Sequence, residues 1–156
     1  VLALVKNRKT CQKVIAAIDV LDKREPQQQL TARLLDKAAA MAKVEGVPLT
    51  ILSVVPDPAL VYAGIVNAPM SGDFLLDTIA VAKKETQALV EHLGISPETI
   101  DVVTGRVEEV VSQRASQSDA LLVIGNAANK GLKGLLIGNT AERILRSMKT
   151  DMLVVN

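Results

Sequence analysis

The chain has 156 residues, 49% of them hydrophobic, and 18 Lys and Arg against 17 Asp and Glu leave a formal net charge of +1. That length suits one domain with one core, while the balanced charge and the restriction of aromatics to Tyr62 and Phe74 exclude a basic, base-stacking nucleic-acid surface. A single cysteine, Cys11, and a single histidine, His92, exclude an internal disulfide, multi-cysteine metal sites and a histidine-rich centre.

No apolar run approaches the ~20 residues of a membrane span, and Val1 to Val5 is shorter than a signal-peptide core. With its lone thiol, the chain is expected to be cytoplasmic, with no membrane span and no nucleic-acid partner. The basic cluster Lys6, Arg8, Lys9 and Lys13 reads as a solvated linker rather than a phosphate patch, and no ligand is assigned to it. The opening VLALVK also resembles the closing MLVVN at Met152 to Asn156. Two readings stay open. Residues 1–12 are either the end of an upstream domain plus a linker, with the main domain over residues 13–156, or an N-terminal strand added to a sheet edge or a dimer contact.

Lys13 to Val20 (KVIAAIDV) is a continuous apolar run ending at Asp19, the pattern of a buried central strand. Leu30, Leu34, Ala38 and Met41 then recur at helical spacing until Gly46, a natural stop. Leu49 to Val55 is a second strand, closed by Pro56 and Pro58. Residues 56 to 73 carry three prolines, two glycines and little periodicity, which predicts a long loop suited to a lid or partner surface. Leu75, Ile79, Ala82, Thr86, Leu89 and Leu93 trace one face of a second helix ended by Gly94, with His92 as surface or cap chemistry near its end.

Ile100 to Val103 is a third strand, and Val107, Val110, Val111 and Ala115 mark a short third helix. Ala120 to Gly125 (ALLVIG) is a fourth strand. A fourth helix over about 140–148 would turn Ala141, Ile144, Leu145 and Met148 inward, and Met152 to Val155 closes the chain as a fifth strand. Strict alternation of strand and helix predicts an α/β fold: an open five-stranded parallel sheet with helices on both faces and right-handed crossovers. If the first three strands grow outward and the fourth returns beside the first, the order is 3-2-1-4-5. The ligand crevice then opens between strands one and four, where Asp19 and the loop from Gly125 meet.

From Leu121 the chain reads LLVIGNAANKGLKGLLIGNTAERILRSMKTDMLVVN, a strand, a glycine-bearing loop, a helix and a strand. This passage, with Asp19 and the element order, resembles the universal stress protein family over residues 13–156. Nucleotide-binding members carry Gly-x2-Gly-x9-Gly followed by Ser or Thr. Here Gly125 and Gly138 match, Ala128 replaces the middle glycine, and Asn139 replaces the hydroxyl residue, with Thr140 beside it. The resemblance implies a Rossmann-like, adenine-nucleotide α-hydrolase-like fold. It also implies a site for ATP, with magnesium, or another adenine nucleotide at Asp19, Val54, Ile124, Gly125, Ala128, Gly138, Asn139 and Thr140, with the aspartate beside the adenine.

Two of these residues also have plainer roles. Asn139 and Glu142 form a near capping box that would start a helix without any ligand, and Asp19 could bond nearby loop amides. A left-handed backbone at Ala128 would cost on the order of 1 kcal/mol. Lys130 and Lys133 read as solvated loop charges, and Arg143 and Arg146 as surface charge on the last helix. Two function classes follow: a stress-response domain binding an adenine nucleotide, or a dimerisation and regulatory module whose site has decayed. In either, the resemblance implies a homodimer through the last strand or pairing with a second such domain. No nucleophile, base and orienting group recur together and no Walker lysine motif exists, so the expected catalysis is at most slow ATP hydrolysis.

Overall fold

The structure, a computed structural model, describes residues 2–3, 10–57, 72–126, 138–148 and 150–156. A two-residue strand β1 (Leu2–Ala3) is followed by β2 (Val14–Ile18), α1 (Glu25–Glu45), β3 (Leu49–Pro56), α2 (Gly72–His92) and β4 (Thr99–Gly105). Then come α3 (Val107–Gln117), β5 (Leu121–Gly125), α4 (Asn139–Ser147) and β6 (Met152–Val155).

The sheet order is β1-β6-β5-β2-β3-β4. Counted from β2, the five parallel strands stand in the expected order 3-2-1-4-5, with β2 between β3 and β5. The short β1 adds a sixth strand, antiparallel to β6 at its outer edge. Central strands are buried on both faces, which is why β2 and β5 read as unbroken apolar runs. Two core layers result. Leu30, Leu34, Leu35 and Ala38 of α1, with Ala82 and Val90 of α2, cover one face. Val111 and Ala115 of α3, with Ala141 and Ile144 of α4, cover the other. A side chain such as the fully buried Leu35 contributes about 1.5–3 kcal/mol of transfer free energy.

The helices follow their apolar spacing closely. Pro26 sits in the first turn of α1, where its missing N–H would have no partner in any case. The helix ends because Gly46 turns left-handed at φ 67°, letting its N–H reach the carbonyls of Ala42 and Lys43. Leu145 departs from expectation: on α4 it is exposed, while Ala141 and Ile144 alone are buried. One residue beyond Ile144 rotates the side chain by about 100° on a 3.6-residue helix, enough to leave the sheet. β4 and β3 both run further than the apolar runs suggest, since Pro56 still lies opposite Gly105 at their shared edge. The segment expected to be one long loop yields helix from Gly72 onward; residues 58–71, the proposed lid, lie outside the described residues.

Candidate functional site

β2 and β5 are neighbours in register, Ala17 opposite Ile124, so the residues that follow them emerge side by side at the carboxyl end of the sheet. A cleft of about 310 Å³ opens there, at the small end of the ~300–1,000 Å³ common for ligand sites. Its floor is apolar, made by Leu52, Val54 and Ile124. Gln27, Leu30 and Thr31 of α1 wall one side, and Val107, Val111 and Ile144 of α3 and α4 wall the other. Asp19, Gly125 and Thr140 all line it.

Asp19 does what a carboxylate just past a strand end does best locally. Its Oδ1 accepts the N–H groups of Leu21 at 3.0 Å and Asp22 at 3.2 Å, an Asx-type turn that steers the chain from β2 towards α1. This satisfies the plain reading. Oδ2 accepts no hydrogen bond among the described residues, and Asp19 lines the cleft.

Gly125 has a role that sequence spacing does not reveal. A Cβ there would meet Leu30 Cδ2 at 3.0 Å and Cγ at 3.1 Å, with Leu34 Cδ1 at 3.5 Å. The glycine therefore lets α1 lie close against the end of β5. Gly138, at φ −61° and ψ 155°, is extended and needs no left-handed freedom. It also corrects the expected capping box: Gly138, not Asn139, is the N-cap of α4, and its carbonyl accepts the N–H of Glu142 at 2.8 Å. Asn139 is thus the first helical residue, and Glu142 turns to Arg146 at 2.6 Å instead of reaching back. Asn139 and Thr140 occupy the first turn, both exposed, where backbone N–H groups lack intrahelical partners. Ala128, together with Lys130, Gly131, Lys133 and Gly134, lies outside the described residues.

Three side chains that sequence reasoning missed shape this end of the sheet. Asn126, directly after Gly125, accepts the Gly138 N–H at its Oδ1 (2.9 Å) and donates from Nδ2 to Asn156 Oδ1 (3.1 Å). It holds the start of α4 and the end of β6 to the end of β5. An amide following the strand glycine was the available signal. Asp22 and Arg24 form the other feature, a fork-shaped pair at the cleft mouth. Arg24 Nε lies 2.9 and 3.0 Å from the two carboxylate oxygens, its NH2 group bonds Oδ2, and the Arg24 backbone N–H adds a bond of 3.1 Å to Oδ1. These hydrogen bonds, side chain first and backbone second, hold the Asp22 carboxyl at about 2 against an ordinary 3.8. The same pairing raises the Arg24 guanidinium above its usual value.

A smaller recess of about 240 Å³ adjoins the cleft and shares Asp19 and Asp22 with it. There Lys23 Nζ meets Glu85 Oε2 at 2.5 Å, tying the β2–α1 turn to α2. The Lys23 hydrogen bond lowers the Glu85 carboxyl. Arg143 pairs with Glu108 at 3.3 Å on the surface, as expected of a helix-end cation. Among the described residues there is no group of three or more metal-ligating side chains, and no helix is long and apolar enough to cross a membrane.

The sequence profile of the universal stress protein family matches residues 11–156. The universal stress protein E homolog of Haemophilus influenzae is 24% identical over 153 residues, covering 91% of this chain and 47% of that protein. The chain thus spans about half the length of the curated relatives it matches. Among solved structures, a putative universal stress protein of Pseudomonas aeruginosa is 28% identical with a TM-score of 0.72, over 98% of this chain and 50% of that one. A universal stress protein in complex with cAMP shares the fold at 21% identity and a TM-score of 0.61, over 93% of this chain and 98% of that one. The Archaeoglobus fulgidus protein in complex with dAMP does so at 15% and 0.58, over the same shares.

Proposed function

This chain belongs to the universal stress protein family, and on that footing we propose that its cleft is the binding site of an adenine nucleotide, through which the stress-response domain reports on the cell. One observation carries the reading: Asp19 and Thr140, from opposite ends of the sequence, line a single cleft over the β2–β5 junction. Open α/β sheets bind ligands at that topological switch point.

The residues fit the two halves of such a ligand. Leu52, Val54 and Ile124 offer an apolar floor for a base, and Asp19 Oδ2 offers an acceptor for its exocyclic amine. The first turn of α4 offers the backbone N–H groups of Asn139 and Thr140, a side-chain amide and a hydroxyl to phosphate oxygens, while the Gly138 N–H is already taken by Asn126 Oδ1. The cAMP and dAMP complexes of related proteins support an adenine mononucleotide, and ATP with magnesium is the larger candidate. Residues 1–12 then belong to an upstream domain and its linker, the longer protein works in the cytoplasm, and the pairing of such domains makes it an assembly as well as a sensor.

Calorimetric titration of the folded chain with AMP, cAMP and ATP–Mg²⁺ tests the proposal. Saturable binding of at least one is expected. Asp19→Ala should weaken it about tenfold, the equivalent of ~1.4 kcal/mol, and Gly138→Val should abolish it by blocking backbone approach. No heat at millimolar nucleotide, with circular dichroism showing the chain folded, overturns the reading.

A further inference from the structure

The two longest helices treat their threonines differently. In α2, Thr78 and Thr86 turn their hydroxyls back on the carbonyls of Phe74 and Ala82, each at 2.8 Å, the usual refuge of a threonine inside a helix. Thr31 of α1 makes no such bond. It is only 3% exposed, and its hydroxyl has no hydrogen-bond partner among the described residues. Leaving a buried hydroxyl unmatched is costly. Among the described residues no fully enclosed side-chain oxygen lacks a partner, so the Thr31 hydroxyl opens onto the space that Thr31 lines.

That space includes the recess of about 240 Å³ between the β2–α1 turn and α2, below the usual size of a drug-like site and large enough for a small molecule. Asp19, Asp22 and Glu85 line it with a single cation, Lys23. Lys23 meets Glu85 at 2.5 Å, and Asp22 is held by Arg24 outside the recess. Asp19 spends only Oδ1, on the Leu21 and Asp22 N–H groups. A charged oxygen and a hydroxyl oxygen are thus left to accept, which suits a cationic N–H donor. An anion would meet three carboxylates, and a neutral alcohol would leave the Asp19 charge unanswered. Val20 and Leu89 on the same wall offer apolar surface to a short hydrocarbon chain.

We infer that this recess is a second binding site, taking a small organic amine as its ammonium ion, with Asp19 Oδ2 and Thr31 Oγ1 accepting its N–H groups and Leu89 packing on its hydrocarbon. The site lies towards α2, on the side away from the first turn of α4, and nothing in it depends on the nucleotide reading. Asp19, Asp22 and Thr31 line the cleft as well, so the two spaces share a wall.

Titration of the isotope-labelled chain, free of nucleotide, with butylammonium chloride tests the site through amide chemical shifts. Saturable shifts at Thr31, Glu85 and Leu89 are expected in the millimolar range for so small a ligand, and neither butanol nor sodium chloride at the same concentration should produce them. Thr31→Val keeps the shape of the side chain and should weaken binding about tenfold, while its urea midpoint stays level or rises, because the lost hydroxyl bonds nothing within the fold. Asp19→Asn retains an oxygen for the turn and should weaken binding to a similar degree. Absence of saturation, an equal response to butanol, or undiminished affinity in a folded Thr31→Val overturns the site. Shifts confined to Gly125 and Thr140 overturn it too, since the amine would then sit in the cleft.

Discussion

Replacing Gly125 by alanine separates the two reasons a glycine can stand after β5. The added methyl would lie 3.0 Å from Leu30 Cδ2 and 3.1 Å from Leu30 Cγ. Rotation about χ2 can swing Cδ2 away but leaves Cγ in place, and a χ1 change would drive the buried Leu30 side chain out of its packing, so α1 itself must give by a few tenths of an ångström. That helix is anchored by Leu34, Leu35 and Ala38, all nearly or fully buried. Overpacking of this kind costs ~1–3 kcal/mol, and burial of the new methyl returns about 0.8 kcal/mol. The net expectation is a loss of about 0.2–2 kcal/mol, which lowers Tm by up to about 8 °C for a chain of this size. Leu30→Ala, which removes both contacting atoms, should alone cost about 2–5 kcal/mol. If the two side chains clash as described, the double variant should be no less stable than Leu30→Ala by more than a few tenths. Urea unfolding followed by circular dichroism measures all three. Additivity of the two single losses to within about 0.5 kcal/mol would refute the close approach of α1 as the reason for the glycine.

Asn126→Ala should destabilise the chain by about 1–3 kcal/mol, since it leaves the Gly138 N–H without its acceptor; hydrogen exchange at Gly138 should quicken more than exchange in β2. Gly105 adopts φ 146° and a Cβ there would lie 2.8 Å from Val110 Cγ2, so Gly105→Ala should cost about 1–3 kcal/mol by thermal unfolding. The Asp22 carboxyl, lowered to about 2 from 3.8, favours the folded state above pH 3.8, and that contribution fades as pH falls through about 2. An NMR titration should find its midpoint near 2 and should find it move up towards 3.8 in Arg24→Gln; an unchanged midpoint in the variant would remove Arg24 as the cause.

The order of strands and helices was legible because it is written in local periodicity. Unbroken runs such as Leu121 to Ile124 belong to strands covered on both sides, and the spacing of Leu30, Leu34 and Ala38 belongs to a helix with one buried face. Of the eight residues the family resemblance named, Asp19, Val54, Ile124, Gly125 and Thr140 line one cleft, Gly138 and Asn139 stand beside Thr140 without lining it, and Ala128 lies outside the described residues. What stayed hidden depends on contacts between residues distant in the chain or on the backbone path of a single residue. Gly125 reads as a phosphate-loop glycine until Leu30 is seen 3.0 Å from its missing Cβ. The helix start shifted from Asn139 to Gly138 because the N-cap is set by which carbonyl accepts the Glu142 N–H, and composition cannot say which. Asn126 joins partners 12 and 30 residues away. The likeness of VLALVK to the closing strand was visible as text, but only pairing across the sheet set Ala3 opposite Met152. Sequence alone determined the elements, since each needs only its own pattern of burial; tertiary structure decided register, close approach and shared hydrogen bonds, which exist only once separate segments meet.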